Sequence, residues 1–220
     1  MSIVTPDGGL TLVGYTLCIV AVVVLILFSV FLCGRRKASA RPSTKQLVFS
    51  AVAMALAFVT SYIKVGPQLP FGGSVTLFSM LFICLIGYWY GTAAGVLTGL
   101  AYGILQFLQE PYVLNLFQVC CDYILAFAGL GLSGCFRKSK NGLLKGYLLG
   151  IAVRGAFHSL GGYLYWMDYM PENFPKELSS LYPIIYNYSY ILAEGLLTIV
   201  ILLLPPVKKA LKQVKLLATQ

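Results

Sequence analysis

Charge is scarce in this chain. Of 220 residues, 10% are charged and only seven are acidic, whereas a water-soluble domain carries about 25% charged residues. An ordinary soluble fold is therefore excluded. Histidine occurs once, at His158, and the six cysteines lie in or at the ends of apolar runs with no C-x-x-C pair among them, which argues against a zinc or disulfide framework. The phosphate-binding pattern G-x-x-x-x-G-K-[ST] is missing as well, so the chain is not its own ATPase. Internal repeats and low-complexity tracts are also lacking. In their place the sequence is 59% hydrophobic, with mean hydropathy +0.83. That composition belongs in a bilayer.

A membrane helix needs roughly 17–25 apolar residues. Apolar runs predict spans near 10–33, 47–65, 75–90, 92–109, 114–136, 145–167 and 183–207, with Gly87 and Gly91 marking the turn between the third and fourth. The net charge of +9 is distributed as topology signals rather than as a nucleic-acid surface. Thirteen of the sixteen basic residues fall in three clusters, 35–45, 137–145 and 208–215, with no acid among them. Asp7, Glu110, Asp168, Glu172 and Glu177 lie on the other side of the predicted membrane. The positive-inside rule then places the N-terminus outside and the C-terminus in the cytoplasm, with the clusters touching anionic lipid. The first span has no basic n-region and its charges follow the apolar run, so it reads as a retained anchor rather than a cleaved signal peptide. The expected organisation is an all-α membrane protein in three parts. Residues 1–46 form an extra transmembrane helix and a basic cytoplasmic linker, 47–207 a six-helix domain, and 208–220 a basic cytoplasmic tail.

Polar residues inside apolar runs point to a site. Asp122 sits about eight residues into its span, roughly 12 Å deep at 1.5 Å per residue. A carboxylate at that depth faces a protein interior or a water-filled cavity. Asn115, Gln118 and Asp122 follow an i, i+3, i+7 pattern, and Asn187, Tyr190 and Glu194 repeat it. Arg154, His158, Gly162 and Trp166 are spaced by four. Each set is one helical stripe. Turning the stripes toward each other builds a small-molecule pocket in the outer half of the membrane, loaded from outside. A buried carboxylate beside a large aromatic suits a flat cationic ligand, held by counter-charge and cation–π attraction. Taken singly, Asp122 also fits a structural pair with Arg154, Trp166 an interfacial belt residue, Gly162 close helix packing and Glu194 a structural hydrogen-bonding group outside the site.

At these residues the chain resembles the thiamine-specific substrate-binding component (S-component) of energy-coupling-factor vitamin transporters, over about residues 45–207. The resemblance rests on Gly72-Gly73-Ser74-Val75, the run Asp122–Gly134, His158-Ser159-Leu160-Gly161-Gly162 ending in Trp166, and the pattern joining Tyr182, Tyr186, Asn187, Ser189 and Tyr190. It implies a six-helix bundle, to which the extra N-terminal helix is an addition, and a first loop that closes over bound thiamine. It implies that Asp122 faces the cationic ligand with Tyr123 beside it, that Trp166 stacks on a ligand ring, and that His158, Tyr182 and Asn187 hydrogen-bond to it. Arg154, Gly162 and Tyr112 carry over too. No catalytic residue, metal or cofactor is implied. ATP is used by partner subunits only: a transmembrane coupling protein and two cytoplasmic ATPases in a bacterial plasma membrane. Ala51, Ala53, Ala55 and Ala57 form two overlapping small-xxx-small pairs. The resemblance makes them the docking face for the coupling protein; ordinary packing inside the bundle is the competing reading.

The residues alone leave alternatives open. The same pocket suits a thiamine precursor or another flat vitamin. A self-sufficient secondary transporter is a further reading, though neither inverted repeats nor broken helices favour it. An intramembrane enzyme with Asp122 and His158 as acid and base lacks a convincing nucleophile.

Overall fold

A computed structural model describes Thr5, residues 10–17, Val20, residues 42–66, Leu69 and residues 72–220. Most of the expected first span, 10–33, and of the basic linker lies outside the described residues. Helices are numbered here from the first described along its whole length. They are α1 (Thr44–Ser61), α2 (Ser79–Tyr90), α3 (Thr92–Gln109), α4 (Leu116–Phe136), α5 (Gly142–Tyr165), α6 (Tyr182–Leu203) and α7 (Pro205–Thr219). The described residues form helices joined by turns and loops, with an isolated antiparallel bridge from Lys64 to Thr76. The expected all-α membrane bundle is what forms. By length and apolar composition, α1, α4 and the segment Lys176–Leu203 each suffice to cross a membrane, and α2 is a shorter apolar helix.

Local chemistry sets the helix ends. Ser43 caps α1 by accepting from the Gln46 N–H at 3.1 Å, and Asn115 caps α4 by accepting from the Gln118 N–H at 2.9 Å. Pro183 stands in the first turn of α6, where its missing N–H costs nothing. The expected last span ran to residue 207; the helix instead stops at Leu203. Pro205 drives Leu204 into the extended region (φ −64°, ψ 130°), and the chain restarts as α7. Residues 208–219, expected as a tail, therefore belong to a helix. Leu211 and Val214 pack α7 against the core, and Tyr90 Oη donates to the Ala218 carbonyl at 2.8 Å.

Inside the bundle, backbones meet at glycines. A Cβ on Gly131 would lie 2.1 Å from the Gly95 carbonyl carbon, and one on Gly99 would lie 2.3 Å from the Phe127 carbonyl oxygen. These contacts let α3 cross α4 with side chains absent at the seam. The four alanines of α1 do not share one face. Ala53 and Ala57 are buried, at 6% and 0% exposure, and the Ala57 carbonyl accepts from Tyr102 Oη at 3.1 Å. Ala51 and Ala55 are exposed, beside exposed Leu47, Val48, Val52, Leu56 and Val59. Residues two apart on an α-helix point about 200° apart, so each pair owns its own side. The four alanines therefore form two faces rather than the one expected: Ala53 and Ala57 pack inside the bundle, and Ala51 and Ala55 lie on its outer side.

Candidate ligand-binding site

All nine of the expected binding residues line one cavity of about 390 Å³. It sits at one end of the bundle, between the α1–α2 and α3–α4 connections and helices α4, α5 and α6. Its position follows from the stripes. Arg154, His158, Gly162 and Trp166 come from α5 or its C-cap, and Tyr182, Asn187 and Tyr190 from α6. Helix α4 contributes Gln118, Asp122, Tyr123 and Phe127. Its middle, Cys120–Leu125, is π-helical, a widened turn often found at functional positions. In a regular helix adjacent side chains diverge by about 100°; here both Asp122 and Tyr123 reach the cavity wall.

Asp122 is 15% exposed and its partners are specific. One oxygen accepts from Gln118 Nε2 at 2.7 Å, and the other lies 3.3 Å from His158 Nδ1. Arg154 Nε in turn donates to His158 Nε2 at 3.3 Å. Because Nε2 is the acceptor, the ring proton sits on Nδ1 and is donated to Asp122. The imidazole therefore stands neutral between a cation and an anion. Arg154 is not paired directly with Asp122 among the described residues; its guanidinium lies over the Phe127 ring, 4.4 Å from the centroid. A carboxylate offers about four acceptor directions. Two are filled from the protein, which leaves Asp122 able to take more hydrogen bonds.

The aromatic wall is Tyr112 against Trp166, with ring centroids 4.9 Å apart, and Tyr169 on the indole at 5.3 Å. Tyr123 works from behind. Its hydroxyl donates to the Glu110 carbonyl at 2.7 Å and accepts from the Tyr112 N–H at 3.1 Å, fixing the loop that presents Tyr112. In that loop, burial pushes the Tyr112 phenol above its ordinary range, and neighbouring Tyr169 adds to the shift.

Asn187 has a structural task that its stripe did not reveal, and Gly162 takes the close-packing role that was one of its two readings. Asn187 Nδ2 donates to the Pro183 and His158 carbonyls at 2.8 and 3.2 Å, and its oxygen accepts from Tyr190 Oη at 2.9 Å. Its amide N–H groups thus join α6 to α5 beneath the cavity, and its oxygen keeps one lone pair. At Gly162 a Cβ would come within 2.7 Å of Pro183 Cβ, so close packing of α5 on α6 demands glycine there. Tyr182 is buried and packs on Phe174 and Tyr186.

Gln118, Tyr186 and the individual residues of the first loop were not among the expected binding residues, although Gln118 lies on the Asp122 stripe and the resemblance implied that this loop covers the site. Gly72, Gly73, Ser74 and Thr76 line the cavity. The loop folds back on itself through Val65 N–H to the Val75 carbonyl at 2.8 Å, and Tyr186 Oη accepts from the Gly73 N–H at 3.2 Å. Glu194 anchors its far end. One oxygen accepts from the Thr76 hydroxyl and N–H at 2.6 and 3.2 Å, the other from the Ser79 hydroxyl and Met80 N–H at 3.3 and 3.2 Å. The acid expected as a structural hydrogen-bonding group is just that, a clasp at the start of α2. Only the i, i+7 spacing of Glu194 from Asn187 hinted at its orientation.

Comparison with known proteins gives one consistent answer. The family model for thiamine transporter protein matches residues 47–214. Thiamine transporter ThiT of Bacillus subtilis strain 168 is 32% identical over 176 residues, covering 71% of this chain and 85% of that protein. A solved structure of ThiT from Listeria monocytogenes aligns with TM-score 0.59 at 25% identity, covering 73% of this chain and 94% of that one. With its bundle of the S-component type, this membrane protein belongs to the thiamine transporter protein family.

Proposed function

We propose that this chain captures thiamine from outside the cell and holds it non-covalently between α4, α5, α6 and the first loop. The observation that carries the reading is Asp122, a carboxylate with spare acceptor capacity in a cavity whose wall is Tyr112 and Trp166. Thiamine is a flat-ringed cation, and Asp122 is its counter-charge. Trp166 stacks on a ring, for about 0.5–2 kcal/mol. His158 is oriented by Arg154 and Asp122 and takes a directional role, while Tyr182, Asn187 and Tyr123 shape the walls. No chemical step or cofactor is needed by this chain. Movement into the cell is driven by a coupling protein and two ATPases, with Ala51 and Ala55 on the docking face, in a bacterial plasma membrane. The basic residues of α7 and of the α4–α5 turn lie at the bundle end opposite the cavity, which supports an outward-facing site.

Equilibrium binding of thiamine to the purified protein tests this. Asp122→Asn removes a charged hydrogen-bond acceptor, about 1.5–3 kcal/mol or roughly ten- to a hundredfold in affinity. Trp166→Ala is expected to weaken binding by roughly two- to thirtyfold. Absence of saturable binding, or unchanged affinity in both variants, sinks the proposal. Competition by separate aminopyrimidine and thiazole fragments tells thiamine from a precursor.

A further inference from the structure

A second cavity, of about 610 Å³, lies at the other end of the same helices. Helices α2, α5 and α6 each touch both: α2 through Ser79 and Trp89, α5 through His158 and Leu143, α6 through Asn187 and Leu202. We propose that this groove, closed on one side by α7, is a binding site for an anionic phospholipid.

Its chemistry is divided in two. The wall is apolar, with Leu143 and Leu144 at the start of α5 and Leu202 and Leu203 at the end of α6. The rim carries Lys208, Lys212 and Lys215 of α7. These recur at i, i+4 and i+7, so they stand on one stripe. Lys208 and Lys212 are exposed, and neither has an acidic partner among the described residues. Lys215 is held in place, donating to Tyr88 Oη at 3.1 Å and lying 4.2 Å over that ring. No acidic residue occurs anywhere in 195–220 or 123–167, so no residue of α5, α7 or the α4–α5 turn offers internal neutralisation. Trp89 and Tyr88 sit in the groove as amphipathic rings do at the bilayer interface.

Apolar wall, aromatic floor and unneutralised lysine rim match one molecule in a membrane: a lipid with acyl chains and a negative headgroup. The chains lie against the leucines and the phosphate reaches the lysines. A neutral lipid satisfies the wall but not the rim, and a free phosphate satisfies the rim but not the wall. The site is independent of which ligand the other cavity carries.

The chain has two tryptophans, one in each cavity. Trp166→Phe leaves Trp89 as the sole reporter of the groove. In micelles of this full-length variant, brominated phosphatidylglycerol is expected to quench Trp89 at a mole fraction at least about tenfold below brominated phosphatidylcholine, given about fivefold per lysine. K208Q/K212Q/K215Q should abolish that preference, and K208R/K212R/K215R should retain it with the same helix content by circular dichroism. Equal quenching by both lipids, or a preference unchanged in the glutamine variant, overturns the proposal. So does displacement of the lipid by glycerol 1-phosphate, which marks a free-phosphate site. A dimer or protein partner that shields Trp89 from both lipids overturns it equally.

Discussion

Gln118 has the smallest exposure of any polar residue touching the carboxylate, at 1%. Its amide is the shortest contact Asp122 makes, at 2.7 Å, and its own oxygen accepts from the Leu114 N–H at 3.1 Å. It is a positioning residue: it aims Asp122 and ties that aim to the α3–α4 connection. Gln118→Leu keeps the volume and removes the donor. Loss of one hydrogen bond to a charged group costs about 1.5–3 kcal/mol, so thiamine affinity measured by titration calorimetry should fall about tenfold. Gln118→Glu should be worse, because it sets a second carboxylate against the first. Unchanged affinity in both would reduce Gln118 to core packing. At this scale the sequence was informative where periodicity speaks. Four-residue spacing brought Arg154, His158, Gly162 and Trp166 to one wall. It said nothing about which groups those side chains satisfy, so Asn187 and Tyr123, read as ligand contacts, also proved to be braces.

Helices and connections differed in how much could be read. The bounds of α3 and the end of α4 follow from their apolar runs. The first loop has no period, so its place over the cavity came only from the family resemblance, and its clasp by Glu194 left no trace in the sequence pattern. Helix α7 was hidden by two prolines and four lysines, which break a run in hydropathy without breaking a helix. The seam between α3 and α4 yields a prediction. Gly131→Ala places a methyl against the Gly95 backbone, and overpacking of this kind costs about 1–3 kcal/mol. Thermal melting in detergent should show that loss. Leu160→Ala, on an outward face of α5, should stay within about 0.5 kcal/mol of the parent.

Seen whole, the molecule keeps its tasks on separate surfaces. The cavity occupies one end, the basic groove the other, and the exposed Ala51–Ala55 strip of α1 runs along the side. If that strip meets the coupling protein, bulk on it should harm transport and spare capture. A51W/A55W is expected to bind thiamine with parental affinity while ATP-driven uptake in the reconstituted complex drops about tenfold, the cost of overpacking one interface. Parental uptake would move the docking face elsewhere. The two acids inside the bundle show the same separation. Glu194 is already quenched by four native donors, so swapping the cargo need not disturb it. Redesign toward an uncharged guest therefore begins at Asp122, with the roof's fastening left as it is.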